Sequence, residues 1–357
     1  MSVFPSKVNF VTGDILTATD VNEIGQAINL LDGAQLSGAK NRVLNSQMNV
    51  WQRGTSITTA SAVYTADRWQ AGIASAGTVS RQVTGDTTNL PFIQYCLRYQ
   101  RTAASSSTSD LALSQSFETV NSIPLVGKTV AFSFYARKGS NFSATSDLLT
   151  ARVVTGTGTD QNLYSGYTGQ ATALQVNATL TTTWQRFSGT VAIGTTVTEM
   201  GVQFFAAPTG TAGANDYYEI TGVQLEAANT ASPYAPNGAT YQAELAACQR
   251  YYFRIGGDVL FQAMANTFAK STTQVEANVY PAATMRVPAT AVEYSNIALY
   301  DGVTITAITS AAINSGQNGK QVANVVFGVA SGLTLYRPYQ VFANNSLSGY
   351  LAISAEL

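Results

Sequence analysis

The residues that most often perform chemistry in proteins are scarce in this sequence. Histidine is absent, which removes the commonest general base and the commonest metal ligand at neutral pH. The composition therefore excludes Ser-His-Asp and Cys-His mechanisms and an ordinary zinc site, and we expect no catalytic residue, cofactor or metal. A glycosidase would still need only two carboxylates in one groove. The acids are scattered and form no compact pair: Asp86, Asp110, Asp147, Asp160, Asp216, Asp258 and Asp301.

The two cysteines, Cys96 and Cys248, lie far apart and lack metal-binding spacing. Two buried free thiols are favoured over a disulfide, and reduced thiols fit assembly in a cytosol. The chain opens without a basic region followed by an apolar run, and no apolar stretch approaches the roughly 20 residues that span a bilayer. We therefore expect a soluble chain made in a cytosol, with no membrane insertion.

Charged side chains make up only 11% of the 357 residues, and the net charge is −1. Binding of duplex nucleic acid needs clustered Lys and Arg, and because the sequence has no such cluster we expect no nucleic-acid partner. A net charge near zero is unfavourable for the solubility of a free protein. It is tolerable in a subunit that is built into a large assembly.

The first 40 residues predict an extended strip followed by one short helix. Four apolar residues follow one another at spacings of three, four and three, which is the a/d pattern of a coiled coil. Isoleucine at both kinds of position favours three or more chains over two. An amphipathic helix that packs on its own domain is the alternative. The predicted homotrimer interface consists of Val21, Ile24, Ile28 and Leu31.

From about residue 41 the chain consists of short segments with alternating polarity, separated by turns rich in Gly, Ser, Thr and Asn. Residues 129–137 alternate between apolar and polar side chains, as in a half-buried strand. Many short strands without intervening helices indicate a β-sandwich or jelly roll. We place this domain at residues 41–232.

A connector and a helix follow at residues 233–252, with Thr240 as the expected N-cap. Residues 253–357 return to strand patterns and predict a second, smaller β-sandwich. The predicted fold class is therefore mainly β: a short N-terminal helix, a jelly roll, a linking helix and a C-terminal β domain, assembled as a trimer. The linking helix has one expected apolar stripe, formed by Tyr241, Leu245, Cys248 and Tyr252.

Several motifs resemble those of a recurrent domain in phage tail fibres and head fibres. Residues 45–54 (NSQMNVWQRG) and 66–69 (ADRW) are similar to its opening. Residues 222–226 (GVQLE) and 248–252 (CQRYY) are similar to its end. Weaker resemblances lie at residues 10–17 and in the final AEL.

The resemblance implies a jelly roll like those of carbohydrate-binding modules, trimeric assembly, and a place on a virion that is assembled in the host cytoplasm. Residues 1–40 would attach to other virion proteins. The expected function is a structural and adhesive fibre subunit that binds a host-surface glycan or protein. A capsid-decorating or tail-connecting protein without a receptor is the alternative, and a glycan depolymerase is less favoured. The resemblance implies no catalysis and defines no glycan-contacting residue.

The motif side chains have two interpretations, and we favour packing over a sugar-binding platform. A buried indole N–H needs a hydrogen-bond partner. The arginines are expected to pair with a motif carboxylate, and an arginine can also stack on an aromatic ring. The predicted packing residues are Trp51, Arg53, Asp67, Arg68, Trp69 and Glu226.

Tyrosine is more frequent than phenylalanine, with 18 Tyr against 15 Phe. Tyrosine suits recognition surfaces because it combines apolar area with a hydroxyl group. Four tyrosines lie in or beside Gly-rich turns, where they would form either a ligand surface at a tip or half-buried corners. They are Tyr164, Tyr167, Tyr217 and Tyr218.

Overall fold

The computed structural model describes residues 17–19, 22, 40–59, 62–73 and 77–357. The predicted trimer stripe of Val21, Ile24, Ile28 and Leu31 lies outside these residues, so both the N-terminal helix and the trimer remain predictions. The described part is mainly β, as predicted. It also contains two short α-helices, α1 (Thr119–Ser122) and α2 (Tyr241–Gln249).

In the described residues before α2, twelve strands form two six-stranded antiparallel sheets. The strands are β1 (Ser56–Thr59), β2 (Val63–Tyr64), β3 (Gln70–Ile73), β4 (Gly77–Val83), β5 (Tyr95–Arg101), β6 (Leu111–Ser116), β7 (Thr129–Lys138), β8 (Leu148–Gly156), β9 (Ala171–Thr179), β10 (Gln185–Ala192), β11 (Glu199–Ala206) and β12 (Tyr217–Ala227). One sheet has the order β1-β4-β5-β12-β7-β10, and the other has the order β2-β3-β6-β11-β8-β9.

The two sheets pack face to face around an aromatic core. Phe132 and Phe134 of β7 contact Phe204 of β11, with ring centroids 5.9 and 4.9 Å apart. Trp69 lies 6.0 Å from the same Phe204 ring. Because these rings come from opposite sheets, they join the sheets into one β-sandwich.

Ten strands follow α2 and form a three-stranded sheet and a seven-stranded sheet, again antiparallel. They are β13 (Tyr252–Gly256), β14 (Ala263–Ala269), β15 (Gln274–Val279), β16 (Ala291–Ser295), β17 (Ile297–Tyr300), β18 (Ile305–Ala307), β19 (Ser310–Ile313), β20 (Ala323–Gly328), β21 (Pro338–Ala343) and β22 (Tyr350–Ser354). The orders are β13-β22-β16 and β18-β17-β21-β14-β15-β20-β19. Both sheets contribute to one separate core, which includes Val275, Phe327, Val341 and Leu351.

Helix α2 begins where the sequence predicts, because the Thr240 hydroxyl accepts a hydrogen bond from the Ala243 amide at 3.3 Å. Its buried residues are Glu244 and Cys248, whereas Tyr241 is exposed, so the expected apolar stripe is buried only toward its C-terminal end. Both cysteines are buried free thiols, as predicted. Burial raises the pKa of each thiol well above its ordinary value.

Candidate ligand surface

The two arginines of the motif do not pair with the carboxylates predicted from the sequence. Both guanidinium groups bind Glu356, near the C-terminal end of the second domain. Arg68 also donates to the Ser116 carbonyl oxygen at 2.8 Å. Burial lowers the pKa of Arg68, but Glu356, Tyr251, Tyr64 and Cys248 together raise it by more, so its net pKa lies above the ordinary value. The guanidinium therefore stays charged inside the protein.

Each of these arginines stacks on a tyrosine of the CQRYY motif. The Arg68 guanidinium carbon lies 3.6 Å from the centre of the Tyr251 ring, and that of Arg53 lies 3.5 Å from the centre of the Tyr252 ring. Stacking of a planar cation on an aromatic face is favourable when water is excluded. The predicted stacking thus occurs, and it joins the first domain to the start of β13.

Asp67 and Glu226, the two carboxylates predicted to pair with the motif arginines, bind other groups. Asp67 accepts hydrogen bonds from the backbone amide of Gln52 at 2.8 Å and from its side chain. Burial raises the pKa of Asp67. Glu226 forms an ion pair with Lys40 at 3.0 Å and accepts from Ser232. Both carboxylates are therefore occupied by donors other than the motif arginines.

The tryptophans of the motif are packing residues rather than sugar platforms. The indole N–H of Trp51 donates to the Met48 carbonyl oxygen at 2.7 Å, and that of Trp69 donates to the Asn45 carbonyl oxygen at 3.2 Å. Trp184 is likewise buried and donates to Thr84 at 3.1 Å. All three indoles are buried and hydrogen-bonded, which favours packing over a sugar platform.

Further contacts extend this junction between the two domains. Arg250 and the Tyr251 hydroxyl both donate to the Glu118 carboxylate, at 2.9 and 2.5 Å. Arg286 lies 3.3 Å from Asp160. The Leu357 carbonyl oxygen accepts from Tyr64 at 3.0 Å and from Asn162 at 2.7 Å. We refer to these contacts, together with the Arg53–Glu356–Arg68 cluster, as the interdomain junction.

The four tyrosines near Gly-rich turns have different environments. Tyr218 is fully buried and donates to the Leu111 carbonyl oxygen at 3.0 Å. Tyr167 is also buried and donates to Met200 at 2.9 Å. Tyr217 is half-buried beneath Arg98, and Tyr164 is exposed. Tyr167 and Tyr218 are therefore core residues, and only Tyr164 and Tyr217 offer any ring surface.

An open groove lies on the outer face of the seven-stranded sheet. It was not predicted from the sequence. Alternation along β15 directs Val275 and Ala277 into the core and Glu276 and Asn278 outward. The groove has a volume of about 560 Å³. It is lined by Met264, Ala265, Asn266, Thr267, Phe268, Glu276, Asn278, Tyr280, Gln317 and Asn324.

Two aromatic side chains and several amides give this groove its chemistry. Phe268 and Tyr280 are 51% and 67% exposed, so both present ring surface to the groove. At the floor, buried Asn324 donates through Nδ2 to Asn278 Oδ1 at 3.0 Å. This bond orients the exposed Asn278 amide so that its own N–H groups remain available. Flat apolar rings beside amide donors and acceptors suit a ligand with both C–H faces and hydroxyl groups.

Glu276 is the single carboxylate among the residues that line the groove. Its Oε1 atom accepts from Lys270 Nζ and from Asn314 Nδ2, the latter at 3.3 Å. Both of these bonds use the same oxygen, which leaves Oε2 as an acceptor. The Glu276 side chain is 17% exposed and that of Lys270 is 37% exposed.

Two other depressions are less suited to a polar ligand. One, of about 440 Å³, is lined by Glu118 and Arg250 and belongs to the interdomain junction. The other, of about 400 Å³, lies beside the β4–β5 turn and is mainly apolar, with Phe92 exposed at its rim. Within the described ranges, no group of three or more Cys, Asp or Glu side chains could hold a metal ion. None of the described helices is long and apolar enough to span a membrane.

The chain matches no protein-family model and no curated protein sequence. Among solved structures it is similar to a putative sugar binding protein from Bacteroides thetaiotaomicron VPI-5482, at 12% identity over 53% of this chain and 100% of that one, with a TM-score of 0.34. TmCBM61 in complex with beta-1,4-galactotriose is similar at 14% identity over 53% and 100%, with a TM-score of 0.29.

A third similar structure is the enzymatically active domain of tailspike protein 4 from bacteriophage CBA120. The identity is 11%, the match covers 53% of this chain and 22% of that one, and the TM-score is 0.32. Because all three TM-scores are below 0.5, these likenesses define neither the fold nor the ligand of this chain.

Proposed function

We propose that this chain is an adhesive structural subunit of a bacteriophage virion, a trimeric tail or head fibre that binds a host-surface glycan and catalyses no reaction. The observation that carries the proposal is the groove of the seven-stranded sheet. Sugars combine apolar C–H faces with hydroxyl groups, and the groove offers exposed rings beside amide and carboxylate groups. The virion location and the trimer rest on the motif resemblance and on the isoleucine spacing at residues 21–31.

The residues that line the groove favour binding over hydrolysis. Glycosidases place two carboxylates about 5–10 Å apart across the scissile bond, and Glu276 has no second carboxylate beside it in the groove lining. Binding at a single shallow groove is weak. Three copies in each fibre, and several fibres on each particle, would raise avidity by roughly 10² or more.

Removal of the two exposed rings tests the proposal. The probes are fluorescent host cells and an array of oligosaccharides, and the purified chain is expected to sediment as a trimer. The Phe268→Ala/Tyr280→Ala variant is expected to lose at least about tenfold in affinity, or ~1.4 kcal/mol, because the stacking surface is removed.

The matched control is Phe92→Ala/Tyr241→Ala, which removes two equally exposed rings far from the groove in sequence. This control should bind as the unmodified protein does. Equal losses in both variants, or the release of new reducing ends from the oligosaccharides, would overturn the proposal. Binding to virion proteins but not to host cells would favour the purely structural alternative.

A further inference from the structure

The lining of the groove carries negative charge and no positive charge, and this affects which sugars the groove can bind. Of the side chains that line it, Glu276 is charged and none is a lysine or arginine. Lys270, which lies beside the groove, is already paired with Glu276 Oε1. Among the lining side chains, a ligand carboxylate or sulfate would therefore meet a carboxylate and no cation. This inventory covers the described residues that form the groove.

The free oxygen of Glu276 favours a ligand that donates hydrogen bonds. An ionised carboxylate is acceptor-only, and its bonds to hydroxyl groups are charge-assisted and strong. Because Oε1 already accepts from Lys270 and Asn314, Oε2 is the oxygen that we assign to a ligand. A sugar hydroxyl or acetamido N–H can donate to it, whereas the carboxylate of a uronic acid cannot.

The amides of the groove fit the same kind of ligand. Asn278 accepts from Asn324 through Oδ1, so it presents N–H groups outward. Asn266 is exposed on β14 and offers both a donor and an acceptor. Together with Glu276, these groups provide donors and acceptors for hydroxyl groups around a sugar ring, with Phe268 and Tyr280 for its apolar face.

We infer that the groove selects neutral, hydroxyl-bearing or N-acetylated sugars and rejects acidic ones, and that Glu276 determines this selectivity. The inference rests on the proposed function and specifies its ligand class. Lys270 moderates the selectivity, because its ammonium group compensates part of the Glu276 charge. Salt weakens the rejection of acidic sugars, since the groove is open to solvent.

Matched pairs of neutral and acidic oligosaccharides test this directly. The probes are oligomers of glucose, galactose and N-acetylglucosamine, with glucuronate and galacturonate oligomers as acidic counterparts. At low ionic strength, the unmodified protein is expected to bind the best neutral probe at least about tenfold more tightly than its acidic counterpart. At 0.5 M salt, this ratio should fall.

Two substitutions change the ratio in opposite directions. Glu276→Gln removes the repulsion and the charge-assisted bond, so the ratio is expected to fall to within about twofold, with weaker binding of the neutral probe. Lys270→Gln leaves Glu276 uncompensated, so the ratio is expected to rise. Both side chains are on the surface, and unchanged thermal unfolding would verify that the variants fold.

The experiment distinguishes failure of the selectivity inference from failure of the proposed adhesive function. Binding with an unchanged ratio in both variants, or a preference for acidic probes, would overturn the inference while leaving the adhesive function intact. Absence of binding to every probe and to host cells would overturn the proposed function and the inference with it.

Discussion

At the scale of single residues, the sequence identified the side chains that matter in the motif but not the atoms they contact. Trp51 and Trp69, which were predicted to be packing residues, have buried and hydrogen-bonded indoles. Arg53 and Arg68 were expected to pair with Asp67 or Glu226, yet both bind Glu356, which lies 288 residues beyond Arg68. Composition and local spacing carry no information on a contact at that separation. The same limit hid the burial of Tyr218, whose hydroxyl is satisfied by Leu111.

Neutralising Glu356 is expected to destabilise the protein strongly. Glu356→Gln keeps the shape of the side chain but leaves Arg53 and Arg68 without a compensating charge in a buried site. Loss of one partner from a buried ion pair costs about 3–5 kcal/mol in the free energy of unfolding. Chemical denaturation of the full chain measures this loss.

The matched control breaks an ion pair at the surface. Asp147→Asn removes the partner of Lys138, with which Asp147 pairs at 2.5 Å through side chains that are 39% and 19% exposed. The expected cost is below about 1 kcal/mol. Similar losses in the two variants would contradict the structural role that we assign to Glu356.

At the scale of elements, alternation predicted most strands and their faces. The strand predicted at residues 129–137 is β7, and the end of α2 capped by Thr240 is where the sequence placed it. Partner strands and register were not predictable, because they depend on pairings between distant segments. The groove was not predicted for a related reason. Its lining residues on β14, β15 and β20 become neighbours only when these strands pair in the sheet.

The bulge in β12 allows a prediction about the stability of a Gly222 variant. Gly222 lies where the register with β7 shifts, and its φ of +57° is in the left-handed region. A Cβ atom there would lie 2.8 Å from the Tyr135 ring and 2.9 Å from Ile93. Gly222→Ala should therefore cost both the backbone strain, about 1–2 kcal/mol, and a further steric penalty.

A variant at Gly210 distinguishes the backbone strain from the steric penalty. Its φ of +61° is nearly the same, but nothing lies within 4 Å of a Cβ atom at this position. Gly210→Ala should cost only the backbone strain. Thermal unfolding of the two variants compares them, and an equal shift in Tm would show that the space around Gly222 can accommodate a methyl group.

At the scale of the whole molecule, the interdomain junction connects the two β-sandwiches through ion pairs rather than a shared core. The two hydrophobic cores are separate clusters, and the contacts between domains include the Arg53–Glu356–Arg68 cluster, Glu118–Arg250 and Asp160–Arg286. The sequence predicted two β domains and a linking helix. It did not predict that motifs at both ends of the first domain would bind the second.

The junction should weaken in acid. Burial raises the pKa of Glu118, but hydrogen bonds from Arg250 and Tyr251 outweigh burial, so its pKa lies below the ordinary value of 4.5. A depressed carboxyl pKa contributes stability above the unfolded value, and this contribution is lost as the pH falls through the folded value. The stability gap between the unmodified protein and Glu118→Gln should therefore be largest above about pH 4.5 and shrink below it.

Glu199 serves as a control of opposite sign. Burial raises its pKa, so ionised Glu199 destabilises the folded protein as the pH rises above 4.5. Relative to Glu199→Gln, the unmodified protein should lose stability with rising pH. Urea denaturation at pH 3, 4.5 and 7 measures both differences, and gaps that do not depend on pH would contradict the assignment of Glu118.

The position of Glu356 has a consequence for biosynthesis. When the ribosome has completed the first domain, Arg53 and Arg68 have emerged, but the carboxylate that neutralises them has not. The two arginines therefore lack this partner until about 130 further residues have been synthesised, which is the length of an ordinary domain. The interdomain junction can therefore close only after Glu356 has been synthesised.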